Sequence, residues 1–214
     1  MARVGLLGGT FNPPHIGHLV CAQEARLSRG LDVVRLVPAA VPPHKEVPED
    51  PGVEVRLELC RLAAQDEPGL EVSDVEARRP GPSFTVDTLR ALHAEAPGDE
   101  LTFIVGGDMA FALPSWREPE AILELASLAV AERESMHRDH ILERLAPLRG
   151  VNERVAFFDM PRLDISSTEL RRRVAERRPI RHLVPAAVAD RIASLGLYRD
   201  APVERRVTRE QVWT

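Results

Sequence analysis

The chain has 214 residues, of which 44% are hydrophobic and 29% charged, with a formal net charge of −5. These values exclude collagen-like, coiled-coil and disordered classes, and the length suits one domain that buries a core without disulfide or metal staples. No apolar run approaches the roughly 20 residues a membrane span requires, and there is no strongly basic footprint of the kind that grips a nucleic-acid duplex, so neither membrane nor nucleic acid is expected as a partner.

Taken in chain order, the pattern alternates strand and helix. Residues 3–8 form a short apolar run ending in glycines, read as a buried strand. Helical spacing follows over 18–29, with a start near Ile16–Gly17 and a stop at Gly30. Residues 32–37 read as a second strand, stopped by Pro38, and the five prolines of 38–52 require a long loop. A helix over 53–64 and a short strand over 70–72 come next, then a helix over 83–96 with Ser83 as its expected cap. Strands are expected over 101–105, 128–131 and 155–158, with helices over 120–125 and 137–148 between them. Helices over 167–177 and 185–195 close the fold, the first capped by Ser166 or Ser167. The organisation is therefore one domain over 1–200, its helical C-terminal portion at about 165–200, with 201–214 as a flexible polar tail. Such alternation predicts an α/β, Rossmann-like open sheet, mostly parallel, with helices on both faces and ligands at the strands' carboxyl ends.

The N-terminal segment lacks a signal peptide's apolar stretch and cleavage site, which points to the cytoplasm, and Cys21 and Cys60 read as reduced core thiols. Of the basic residues only Lys45 is a lysine, so chemistry that needs an ammonium group has a single candidate. Residues 161–214 hold 12 Arg against 7 acidic residues, which makes an anion-facing region conceivable beside the ordinary reading of a solvated helical face.

Three features fall at expected strand ends. GGTFNPPHIGH occupies 8–18: Gly8 and Gly9 allow close backbone approach, and the following helix start aims free N–H groups at an anion. His15 and His18, three apart, share one side of the first turn and can stabilise charge developing on phosphate oxygens. The bland alternative is a Gly/Pro turn with two capping histidines. ISSTELR at 165–171 sets hydroxyls at a helix start with Arg171 one turn in, which serves either a plain cap or a phosphate tail. GGD at 106–108 puts Asp108 where a carboxylate accepts hydrogen bonds from ribose hydroxyls or caps the next helix. Trp116, in a loop of a chain with 4% aromatics, could stack on a planar ligand or on its own helix. His137 and His140 have metal-pair spacing on what reads as an exposed helix, and His44 has no derivable role.

GGTFNPPHIGHL and ISSTELR resemble the two signatures of the nucleotidylyltransferase superfamily. Inside it, PPHK at 42–45, GPSFTVDTL at 81–89, GGD, and LVPAAVADRIASLGLY at 183–198 are similar to bacterial nicotinate-nucleotide adenylyltransferases, in order along nearly the whole chain. The resemblance implies transfer of an adenylyl group from ATP to nicotinate mononucleotide, giving nicotinate adenine dinucleotide and pyrophosphate in NAD biosynthesis. It implies His15, His18, Lys45 and Arg171 as the catalytic set, with Gly8, Gly9, Thr10, Phe11, Asp108, Ser167 and Thr168 on ATP. Thr85 and Trp116 would hold nicotinate mononucleotide, and Phe84 stands where Tyr is common in the family. Mg²⁺ would arrive with ATP, no residue of the chain is expected as a metal ligand, and self-association into a homo-oligomer is left open.

Overall fold

The computed structural model describes residues 1–41, 49–132 and 137–200. Six strands form one sheet: β1 (Arg3–Gly9), β2 (Val33–Pro38), β3 (Leu70–Val72), β4 (Glu100–Gly106), β5 (Ser127–Ala131) and β6 (Val155–Phe158). Their order is β3-β2-β1-β4-β5-β6, and every pairing is parallel, so the sheet is wholly parallel where a mostly parallel one was expected. The helices are α1 (Ile16–Arg29), α2 (Val53–Ala64), α3 (Thr85–Glu95), α4 (Gly107–Ala112), α5 (Pro119–Leu125), α6 (Arg138–Leu145), α7 (Val151–Arg154), α8 (Ser167–Ala175) and α9 (Ala186–Leu195).

Period-two alternation along β1 splits the core. Val4 and Leu6 belong to a cluster completed by Val86 and Leu89 of α3, Ile122 of α5 and Ile141 of α6. Leu7 faces the other way, into a cluster with Cys21, Ala22 and Ala25 of α1 and Cys60 of α2. Helices thus cover both faces, as parallel βαβ units require. A third cluster joins Leu59 and Ala63 of α2 to Leu170 of α8, Val188 and Ile192 of α9, and Tyr198. It fixes the C-terminal helices to the same side as α1 and α2. β1 sits between β2 and β4, so strand order reverses there and the crevice lies beyond Gly9 and Gly106.

Two expected boundaries shift for identifiable reasons. Ser83 does not cap α3, which begins at Thr85 with Phe84 in the cap position. The Ser83 hydroxyl instead accepts the backbone N–H groups of Ala40 (3.0 Å) and Val41 (3.4 Å), pinning the chain that leaves β2. The chain after β4, where no helix was expected before residue 120, continues directly into α4 and a 3₁₀ turn at Leu113–Ser115. Both cysteines are buried thiols outside any disulfide, as expected, and burial pushes the Cys60 thiol pKa far up. Among the described residues no helix is long and apolar enough to cross a membrane.

Candidate active site

The first motif leaves β1 at Gly9, turns through Phe11 with φ of 50°, and enters α1 at Ile16. His15 stands just ahead of α1 in extended conformation, and its backbone N–H donates to His18 Nδ1 at 3.2 Å. With Nδ1 an acceptor, the neutral His18 imidazole carries its proton on Nε2, which makes that nitrogen a donor for a phosphate oxygen. The two rings stack, centroids 3.7 Å apart and planes 23° from parallel. His15 is buried and His18 half-buried, so His15 is the support and His18 the presented group. Gly17 makes the stack possible: a Cβ there would stand 3.1 Å from His15 Nδ1.

Of the backbone donors expected to face an anion at the start of α1, two are used inside the protein: Ile16 N–H donates to Leu183 O (3.0 Å) and His18 N–H to His15 O (2.9 Å). Phe11 is 1% exposed, lies edge-on to His18 at 4.9 Å, and packs where a Gly9 Cβ would meet its ring at 3.2 Å. Its buried side chain therefore orients His18.

The second motif abuts the first. Ser166 caps α8, accepting Glu169 N–H at 3.2 Å. Ser167 Oγ donates to Pro13 O at 2.8 Å, and Arg171 Nη1 donates to Asn12 O at 2.9 Å, bonds that span 154 and 159 residues. With the Ser167 hydroxyl proton used on Pro13, what Ser167 has left for an anion is its helix-start N–H, and Thr168 is exposed beside it. A cavity of about 400 Å³ opens here, lined by Ile165, Ser166, Thr168, Glu169 and Arg172 among others.

Beneath the first motif lies a layer that sequence patterning missed. Arg56 of α2 is 0% exposed; its Nε donates to Asp50 at 2.9 Å, Nη1 to Thr10 O at 2.9 Å and Nη2 to Ala40 O at 3.3 Å. One guanidinium thus ties the glycine turn to both described ends of the proline-rich loop. Arg171 Nε donates to Glu49 at 3.3 Å. Tyr198 donates its hydroxyl to Asn12 Oδ1 at 2.6 Å, both groups buried, and burial pushes the phenol's pKa well above its ordinary value. A signal existed for Arg56: it shares a helical stripe with Leu59, Cys60 and Ala63, and a charge on an apolar stripe needs buried partners.

At the other end of the crevice, Asp108 sits exposed in the first turn of α4, with Gly106 and not Asp108 in the cap position. Trp116 is half-buried, edge-on to Phe103 at 6.0 Å, and the Phe103 ring lies 3.4 Å from where a Gly8 Cβ would be. Thr85 opens α3, and Arg117 covers the Phe84 ring at 5.0 Å, a packing role that Phe fills as well as Tyr. Lys45 and His44 lie outside the described residues, as does the 201–214 tail. His137 and His140 place their rings 6.0 Å apart. Among the described residues no group of three or more His, Cys, Asp or Glu could hold a metal ion.

Comparison with known proteins gives the following. The family model described as cytidylyltransferase-like matches residues 6–173. A protein of Trichlorobacter lovleyi named "Probable nicotinate-nucleotide adenylyltransferase" is 42% identical over 211 residues, covering 92% of this chain and 99% of that one. One of the same name from Roseiflexus sp. is 45% identical over 199 residues, covering 92% and 98%. Among solved structures, a Plasmodium falciparum nicotinic acid mononucleotide adenylyltransferase complexed with NaAD superposes with a TM-score of 0.76 at 17% identity, over 93% of this chain and 98% of that one. That last likeness is one of fold.

Proposed function

The chain belongs to the cytidylyltransferase-like family and, within it, to the nicotinate-nucleotide adenylyltransferases, and from that premise we propose how its residues join ATP to nicotinate mononucleotide. The products are nicotinate adenine dinucleotide and pyrophosphate. The observation that carries the reading is the meeting of two distant motifs, Arg171 on Asn12 and Ser167 on Pro13, which gathers an imidazole, a guanidinium and a helix start at one crevice. Residues 1–200 act as one domain, with 165–200 forming the phosphate end, and the enzyme works in the cytoplasm.

In this mechanism the mononucleotide's 5′-phosphate oxygen attacks the α-phosphorus of ATP in line. The bond from that phosphorus to the β-phosphate bridging oxygen breaks, and pyrophosphate leaves with the electron pair. A phosphate nucleophile is already ionised at neutral pH, so no general base is needed; positioning and charge neutralisation carry the catalysis. His18 Nε2–H donates to the α-phosphate as charge builds, held by the His15 stack and the His15 N–H bond to Nδ1. Arg171, Thr168 and the first N–H groups of α8 hold the β- and γ-phosphates, with Lys45 as a further cation on them. Gly8, Gly9, Thr10 and Phe11 line ATP with backbone, and Asp108 accepts the ribose hydroxyls. Trp116 stacks on the pyridine ring and Thr85 hydrogen-bonds the mononucleotide. Mg²⁺ would arrive with ATP and lower the charge on its phosphates, with no residue of the chain assigned as its ligand.

The test is pyrophosphate release from ATP and Mg²⁺ with either pyridine mononucleotide. Release with nicotinate mononucleotide well above that with nicotinamide mononucleotide is expected. Equal rates would remove the nicotinate preference, and no release with either would remove the assignment of an activity.

A further inference from the structure

Glu49 is an acidic side chain built into a site that receives a polyanion. Its carboxylate accepts from Arg171 Nε at 3.3 Å, and both side chains are nearly enclosed, 10% exposed for Arg171 and 15% for Glu49. The other two guanidinium nitrogens also have protein partners, Nη1 on Asn12 O and Nη2 3.5 Å from Thr168 Oγ1. Of the three partners only Glu49 carries charge. The next residue is fixed independently: Asp50 Oδ1 accepts from Arg56 Nε at 2.9 Å and from Gly52 N–H at 3.0 Å. The chain is thus anchored immediately after Glu49, whereas among the described residues the Glu49 carboxylate has no bond except that to Arg171.

Resting on the reading that Arg171 binds the phosphates of ATP, we infer that Glu49 is an internal stand-in for the polyphosphate and sets its affinity. A carboxylate and a phosphate oxygen cannot share one edge of a guanidinium without like-charge repulsion, so ATP or pyrophosphate must displace Glu49. Departure of pyrophosphate restores the Glu49–Arg171 pair. The exchange weakens ATP and pyrophosphate alike and favours loss of the product, while Asp50, locked on Arg56, keeps the backbone in place for Glu49 to return.

Glu49→Gln removes the competing charge and keeps the side chain's size. Its KM for ATP and its inhibition constant for magnesium pyrophosphate are expected to fall about 5- to 10-fold, with the KM for nicotinate mononucleotide changing less than about twofold. Glu49→Asp, which withdraws the charge by one methylene, is expected to move the same two constants in the same direction by less. ATP and pyrophosphate constants that stay unchanged or rise in Glu49→Gln, with melting as in the parent, overturn the inference, since Glu49 would then only orient Arg171. Arg171→Ala separates the two levels of argument. If it weakens ATP while Glu49→Gln does nothing, the exchange alone fails; if it leaves ATP affinity unchanged, the phosphate assignment of Arg171 fails and the exchange with it.

Discussion

His18→Ala is expected to lower kcat by about 10²-fold or more while the melting temperature and far-UV circular dichroism stay close to those of the parent. The effect should fall on kcat more than on the KM for ATP, because a hydrogen bond to the α-phosphate strengthens as charge develops in the transition state. The geometry explains why His18 outweighs its neighbour. The buried His15 ring stacks beneath it at 3.7 Å, its backbone N–H fixes Nδ1, and the edge of Phe11 closes a third side at 4.9 Å. Three restraints hold one half-buried imidazole, so little reorganisation is left at the moment of reaction. Loss of the ring frees one backbone N–H at the start of α1 and leaves the three core clusters intact, so the fold should persist. An unchanged kcat would contradict this role.

Arg56→Met is expected to destabilise the fold by about 3 kcal/mol, a drop of roughly 10 °C in melting temperature for a chain of this size. Replacing a buried ion pair with apolar atoms is often neutral when both charges go together. Here the partners remain: the carbonyls of Thr10 and Ala40 each lose a donor, at about 1–3 kcal/mol per orphaned group. Asp50 loses its cation too, although at 28% side-chain exposure it recovers some hydration. Activity should fall further than stability alone dictates, because Thr10 belongs to the turn proposed to line ATP. Arg56→Lys keeps the charge and loses the fork, so it should lie between the parent and Arg56→Met. A melting temperature within about 1 °C of the parent in Arg56→Met would contradict the staple.

Much of the scaffold was legible because its periodicities are long and clean. The bounds of α2, β3 and β6 coincide with the apolar patterns at 53–64, 70–72 and 155–158. α4 and α7, six and four residues long, are too short for a 3.6-residue period to register, and both were missed. Ser83 has the chemistry of a cap, but its hydroxyl has a stronger claim from the chain leaving β2, which no local pattern reveals.

The site was legible at the level of residue types and not at the level of partners. His15, His18 and Arg171 stand out from the motifs, yet spacing makes the two histidines equals, whereas the fold makes one a buried support and the other the presented group. The pairs Arg56–Thr10, Tyr198–Asn12 and Arg171–Glu49 join residues 46, 186 and 122 positions apart, and nothing in either segment names its counterpart. Arg56 alone left a trace, as a charge on an apolar stripe.

In the proposed mechanism the transfer is direct, catalysed by positioning and charge neutralisation with no covalent partner from the protein. The stereochemical course at the α-phosphorus tests it most directly. With a single diastereomer of ATP carrying sulfur on the α-phosphate, direct transfer gives nicotinate adenine dinucleotide of inverted configuration at phosphorus. Retention would mean two displacements through an adenylylated side chain, and would contradict it.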